Sequence, residues 1–211
     1  MTNYPGRRSV GILDVGLGNV GSITRMITKV GGKAVIVKTP SMLQEISKLV
    51  LPGVGHFDHG IGQLRDYGFA EILCDFAAQK NRFLLGICLG MQLLCRRSEE
   101  GVLRGLGLIA ADVIKFDGTA GEGIKIPHMG WNIVTPSRRN PLIEMDSQER
   151  RFYFVHSFKV IPDCKSISIG ATFYGGEFCS AFQSENIFGV QFHPEKSHRY
   201  GISLLKNFVE L

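Results

Sequence analysis

The sequence predicts an α/β protein: a doubly wound, mostly parallel sheet with antiparallel strands added in the second half. Three observations predict it. Short apolar runs alternate with helix-spaced apolar residues as far as Leu94, the pattern of strands joined by crossover helices. From Val113 onward, β-like runs follow one another with few helices between. At the junction of the two patterns, a cysteine flanked by glycines joins an apolar strand to an apolar helix start.

The elements follow in order. Val10 to Asp14 is an apolar run and reads as the first strand. Gly16-Leu17-Gly18-Asn19 makes a turn, with Asn19 as N-cap of a helix whose Val20, Ile23, Met26, Ile27 and Val30 share one face. Gly31-Gly32 ends it. The Gly-x-Gly of this turn is a poor dinucleotide fingerprint, because the third glycine falls at Gly21, one residue early. Ala34 to Val37 reads as strand two. Ser41-x-x-Gln44 after Pro40 reads as the capping box of a short helix. Lys48 to Leu51 reads as strand three and runs into Pro52-Gly53-Val54-Gly55. A strand ending so exposes main-chain N–H groups at the carboxyl edge, where open α/β sheets bind ligands. A plain tight turn is the other reading. Asp58 to Lys80 carries two helical patterns broken near Gly68.

In the second half, Val113 to Phe116, Ile133-Val134, Phe152 to Val155, Ile167 to Tyr174, Cys179 to Phe182 and Ile187 to Phe192 read as strands. Gly175-Gly176 is a hairpin signal and Glu185-Asn186 a second turn. A last helix, Tyr200 to Glu210, aligns Leu204, Leu205 and Phe208. Glu99-Glu100 after Arg96-Arg97 reads as a solvated charged loop.

Composition narrows the classes of function. The 211 residues suit one domain, 44% hydrophobic and 20% charged, enough for a sizeable core. A net charge of +5 without a run of like charges gives no nucleic-acid tract. Five cysteines, without a CxxC pair or regular spacing, argue against a disulfide framework or a zinc site and suit a reducing cytoplasm. Met1 to Ser9 lacks the apolar core of a signal peptide, and no run is long enough to span a membrane.

The chemistry centres on Gly86-Ile87-Cys88-Leu89-Gly90. Phe83 to Ile87 reads as a buried strand and Leu89 to Leu94 as a helix start, so Cys88 sits in a G-x-nucleophile-x-G elbow. The glycines let the chain bend and leave room for substrate. The helix N-terminus favours a thiolate and offers N–H groups to an oxyanion. By itself the motif also fits a small buried hydrophobe. Far along the chain, His193-Pro194-Glu195 follows a strand. Two apart in an extended segment, His193 and Glu195 point the same way. A cysteine, an imidazole and a carboxylate together compose a Cys–His–acid triad.

Taken together, these motifs resemble the class I (triad) glutamine amidotransferases. Gly86 to Gln92 matches their nucleophile motif, Gly189 to Glu195 their His-x-Glu motif, and Leu51 to Gly55 their oxyanion strand. Pro127-His128-Met129-Gly130-Trp131-Asn132, Tyr153 to Phe158 and Leu204 to Phe208 look like the glutaminase subunits of imidazole glycerol phosphate synthases. The resemblance spans residues 10–211 and leaves 1–9 as an unmatched extension.

The resemblance implies specific roles. Cys88 attacks the carboxamide of glutamine, and His193 is base and then acid, oriented by Glu195. The N–H groups of Leu89 and of Gly53, Val54 and Gly55 form the oxyanion hole. Gly53, Gly55, Gln92, Ser157 and Phe158 hold the amino-acid part of glutamine. Pro127, His128, Met129, Gly130, Trp131, Asn132 and Tyr153 face a (β/α)8 synthase/cyclase subunit in a heterodimer. No metal or cofactor is required. His156 is read as a satisfied core histidine, and His56, His59 and His198 are given no role. Three rival readings stand beside this one: a related glutaminase serving a surface-polysaccharide pathway, a cysteine hydrolase of another substrate, and a non-catalytic module on the same fold.

Overall fold

The computed structural model describes residues 8–118, 124–146 and 148–211. Its first half contains β1 (Ser9–Leu13), α1 (Val20–Lys29), β2 (Lys33–Val37), β3 (Lys48–Gly53), α2 (Phe57–Asp66), α3 (Ala70–Ala78), β4 (Phe83–Cys88) and α4 (Leu89–Leu93). The second half contains β5 (Arg97–Ser98), β6 (Ala111–Lys115), β7 (His128–Ile133), β8 (Thr135–Pro136), β9 (Arg151–His156), β10 (Phe158–Pro162), β11 (Ser168–Phe173), β12 (Glu177–Ser184), β13 (Ile187–Val190) and α5 (His198–Glu210).

Period-two burial builds two apolar layers. Along β1, Val10 and Ile12 enter one layer and Leu13 the other. Along β3, Val50 enters the first and Leu49 and Leu51 the second. A parallel sheet covered on both faces requires such continuous apolar strands. Ile23 and Ile27 of α1 and Leu204, Leu205 and Phe208 of α5 complete the first layer. Ile61 and Leu64 of α2 and Leu73 and Phe76 of α3 complete the second.

The main sheet has the order β2-β1-β3-β4-β13-β12-β10-β6-β5. The run β2-β1-β3-β4-β13 is parallel, and β12, β10 and β6 then alternate in direction. β11 pairs with β12 and β8 beside this path. β7 and β9 form a separate two-stranded ladder. The doubly wound expectation and its antiparallel addition are both present.

Several local expectations need correction. Ser41 does not cap a helix. Pro40–Glu45 is a 3-10 turn preceded by Thr39, and the Ser41 hydroxyl bonds that of Thr39. The strand expected at Ile133-Val134 begins at His128, so the whole Pro127–Asn132 motif after its proline lies in β7. Strand β10 was not anticipated, because Phe158-Lys159-Val160-Ile161 lacks clean alternation. Ser9 already pairs with Lys33, so the sheet includes the last residue of the expected extension. Residues 1–7 lie outside the described residues.

Candidate active site

The carboxyl ends of β3 and β4 lie side by side, with Gly53 paired to Cys88. β13 lies on the other side of β4 and leads into Gln191, Phe192 and His193. Residues far apart in the chain therefore converge on one edge of the sheet, where open α/β folds place their sites.

Cys88 has φ 54° and ψ −111°, a strained backbone for a residue with a side chain. The flanking glycines act differently from the expectation. Neither has positive φ. A Cβ on Gly90 would stand 1.9 Å from the Leu51 carbonyl oxygen, and one on Gly86 would meet Gly90 and Met91 backbone at 2.7 Å. They are glycines because main chain packs against main chain, while the elbow's strain sits on Cys88 itself. The helix that follows has five residues, so its macrodipole is small.

His193 is almost wholly buried, and its Nδ1 lies 2.8 Å from Glu195 Oε1. The carboxylate accepts, so Nδ1 carries the proton and Nε2 is left for the thiol. Among the described residues, buried Nε2 finds no hydrogen-bond partner of normal geometry, and neither does Glu195 Oε2. Burial alone would lower the pKa of His193, but the Cys88 sulfur and the Glu195 carboxylate outweigh it and raise the value from 6.5 to about 9. The site favours the protonated imidazole, the form reached once a thiol proton has been taken. His193 and Glu195 do not meet along an extended segment as expected. His193 is the extended N-cap of a 3-10 turn, Pro194–Lys196, and the chain bends after it so that the Glu195 carboxylate folds back onto the imidazole.

The turn that carries His193 and Glu195 is held from below. The His193 N–H donates to the Tyr153 carbonyl at 2.9 Å, and the Tyr153 N–H donates to Ser197 Oγ at 3.0 Å. Ser197 then donates to the His193 carbonyl at 2.6 Å. Sequence reasoning missed Ser197, since a serine four residues after a histidine carries no signal of its own.

A cavity of about 210 Å³ opens in front of Cys88. Its walls are Val54, Gly55, Leu89, Gln92, Glu100, Val155, His156, Ser157, Phe158 and His193. Larger clefts lie beside Arg150 and Tyr200 and beside Arg96 and Arg104, with no Cys88, His193 or Glu195 in their walls. Gln92 is buried and donates to the Phe158 carbonyl at 3.2 Å and to Gln191 Oε1 at 2.9 Å. Gln191 in turn points its amide nitrogen at Cys88 Sγ, 3.8 Å away. Gln191 was legible only as part of a motif, without a role. Glu100 departs from the expected solvated loop: it is half-buried, accepts the Phe57 N–H at 2.8 Å and lines the cavity. Glu99 accepts the Lys115 N–H at 2.7 Å. The Val54 N–H, an expected oxyanion donor, is spent on the Leu17 carbonyl at 2.6 Å. Gly55, at φ +104°, requires a glycine.

A family model for glutamine amidotransferase class-I matches residues 11–211. The chain belongs to the class I glutamine amidotransferases. Among relatives of this amidotransferase, the imidazole glycerol phosphate synthase subunit HisH 2 of Methanococcus maripaludis is 48% identical over 201 residues, 95% of this chain and 98% of the relative. Subunit HisH 2 of Pseudomonas aeruginosa is 42% identical over 95% of this chain and 98% of its own length. The fold matches that of a glutamine amidotransferase from Thermotoga maritima, with TM-score 0.63 and 19% identity over 92% of this chain and 79% of the other. It also matches PurLQS from Thermotoga maritima, with TM-score 0.69 and 17% identity over 95% of each chain.

The amidotransferase's expected partner face divides by the pleat of β7. Met129 and Trp131 are exposed, whereas His128 is buried and Asn132 turns its amide inward onto it. Trp131 stacks on His198, ring centroids 5.3 Å apart, and packs edge-on to Tyr153. His198, given no role from sequence, thus supports the exposed indole. Among the described residues, no group of three or more His, Cys, Asp or Glu side chains is arranged to hold a metal ion, and no helix is long and apolar enough to cross a membrane.

Proposed function

We propose that this amidotransferase is the glutaminase subunit of an imidazole glycerol phosphate synthase, located in the cytoplasm. The observation that carries the chemistry is the buried His193–Glu195 pair at 2.8 Å beside a strained Cys88 at the cavity of about 210 Å³. The names of relatives that share 42–48% identity over nearly the whole chain support the pathway.

Cys88 Sγ attacks the carboxamide carbon of glutamine while His193 Nε2 takes the thiol proton. The oxyanion is met by the N–H of Leu89 and by the Gly53-Val54-Gly55 segment once the Val54 N–H turns away from Leu17. His193 then gives its proton to the leaving nitrogen, and ammonia departs, leaving a glutamyl thioester. Water attacks the thioester, His193 accepts its proton, and glutamate leaves as the thiol is restored. Glu195 stabilises the imidazolium throughout and keeps Nδ1 protonated. Gln92, Ser157 and Phe158 line the part of the cavity that receives the amino-acid end of glutamine. The ammonia passes to a (β/α)8 synthase/cyclase subunit docked on Pro127, Met129, Gly130, Trp131 and Tyr153, where histidine biosynthesis consumes it.

The test is reconstitution with the synthase subunit. Wild-type complex should form imidazole glycerol phosphate from glutamine. Cys88→Ala should reduce that activity by at least about 10³-fold, since no other group carries the acyl intermediate. The same variant complex should still use ammonium salts. Retained glutamine hydrolysis in Cys88→Ala would place the nucleophile elsewhere, and failure to bind the synthase subunit would assign the ammonia to another acceptor.

A further inference from the structure

A buried pair of histidines joins β7 to the cavity wall: His128 belongs to β7 and His156 to the wall itself. His128 Nδ1 is 3.0 Å from His156 Nε2. Asn132 Nδ2 is 3.1 Å from His128 Nε2, and His156 Nδ1 is 2.7 Å from the Phe158 carbonyl oxygen. His128 stacks between Phe154 and Tyr174 at centroid distances of 4.6 and 4.0 Å. Polar atoms buried so deeply are costly unless every one is paired.

Both ends of this chain assign its protons independently. Asn132 Oδ1 accepts the Ile133 N–H at 2.8 Å, and Nδ2 donates to the Phe173 carbonyl at 3.0 Å. The orientation of that amide is therefore fixed, and its second hydrogen points to His128 Nε2. His128 Nε2 must accept, so its proton sits on Nδ1 and is donated to His156 Nε2. At the far end, His156 faces a carbonyl and must carry its proton on Nδ1, which again leaves Nε2 as acceptor. A proton added to either ring would set two donors against each other. Burial in the same direction lowers the pKa of His128 to about 4 and that of His156 to about 3.

The geometry points to a one-way hydrogen-bond relay, from Asn132 through His128 and His156 to the Phe158 carbonyl, that sets the wall of the glutamine pocket. His128 and His156 are positioning residues for glutamine, an assignment that rests on the glutaminase function above. The Phe158 carbonyl takes the His156 N–H and one hydrogen of Gln92, whose other hydrogen goes to Gln191. Both hydrogens of Gln92 are then committed, and its oxygen is the atom left to accept a hydrogen bond from substrate. Loss of the relay frees the turn at Ser157 and the orientation of that amide together.

Two measurements test it. Two-bond ¹H–¹⁵N correlations on the labelled full chain at neutral pH read the tautomers directly, and both His128 and His156 should be protonated on Nδ1 alone. A proton on Nε2 of either ring overturns the relay, whatever the variants do. In the complex with the synthase subunit, His128→Phe keeps the stacking but removes both polar atoms. The KM for glutamine should rise about ten-fold, the range set by the group left unpaired on the pocket side, His156 Nε2, with kcat changed much less. His128→Gln has an acceptor and a donor to replace them and should restore KM. An unchanged KM in His128→Phe, or an equal loss in His128→Gln, overturns the proposal in favour of packing alone. A wild-type complex that hydrolyses no glutamine would refute the substrate, and the tautomers would still decide the relay.

Discussion

Ser197 holds His193 by its main chain: the wholly buried serine hydroxyl donates to the His193 carbonyl at 2.6 Å while accepting the Tyr153 N–H at 3.0 Å. The turn proposed to be catalytic is thereby tied to β9, the strand that also carries Tyr153 toward the proposed partner face. Replacing Ser197 with alanine leaves the Tyr153 N–H short of its partner and the His193 carbonyl with the Lys196 N–H alone, at 3.1 Å, at a cost of about 1–3 kcal/mol. The expected outcome for Ser197→Ala is a lower Tm and a fall in kcat of about ten-fold, with glutamine KM little changed. Ser197→Thr keeps the hydroxyl and should recover kcat. If kcat in Ser197→Ala matches wild type, the clasp does not position His193.

Glu195 sets the tautomer of His193. In Glu195→Gln the Nδ1 proton loses its charged acceptor, and kcat should fall by about 10² to 10⁴-fold. The pKa of His193, raised from 6.5 to about 9 with Glu195 as one cause, should move down in the variant. Histidine NMR titration of both proteins checks the shift, and wild-type activity in the variant would reduce Glu195 to a bystander.

The Val54 N–H donates to Leu17 rather than into the cavity, so the chain by itself lacks one expected oxyanion donor. Absence of one such donor is worth about 10² to 10³ in rate. The isolated subunit should hydrolyse glutamine slowly, and docking of the synthase subunit with its acceptor should raise kcat by tens-fold or more, by as much as the partner prefers the turned state. Stopped-flow ammonia release from the free chain, the complex and the acceptor-loaded complex measures this. Full activity in the free chain would mean that Val54 is not an oxyanion donor.

Stability should fall on both sides of neutrality, for opposite reasons. His128 and His156 are buried neutral, and burial lowers their folded pKa values to about 4 and about 3, against an ordinary value of 6.5. Their contribution is complete above about 6.5 and is lost as pH falls toward those folded values, because the unfolded chain binds protons first. His193 is raised to about 9, so its contribution is complete below about 6.5 and is lost as pH rises through 9. Calorimetric Tm against pH should therefore peak near neutral. His128→Gln should flatten the acid limb and His193→Gln the alkaline limb; an unaltered acid limb in His128→Gln would show that His128 is protonated without cost.

Much of this protein is local, and local features were legible in the chain. Apolar periodicity defined β1, α1, β3, β4 and α5, because burial of one face imposes a period of two or 3.6 whatever the neighbours are. The Asn19 cap was readable because its side chain bonds Ser22, three residues on. Cys88 and the His193–Glu195 pair were readable because each belongs to a short contiguous motif. Tertiary structure decided the rest. Gly90 answers to the Leu51 carbonyl on the neighbouring strand, a packing contact with no local signature. Only the pleat of β7 separates exposed Trp131 from buried His128, two motif neighbours that look alike in sequence. Ser197, Gln191 and the His128–His156 pair gain their roles from partners 28 to 103 residues away. Hydrogen bonds are decided by distance in space, and a sequence records only distance along the chain.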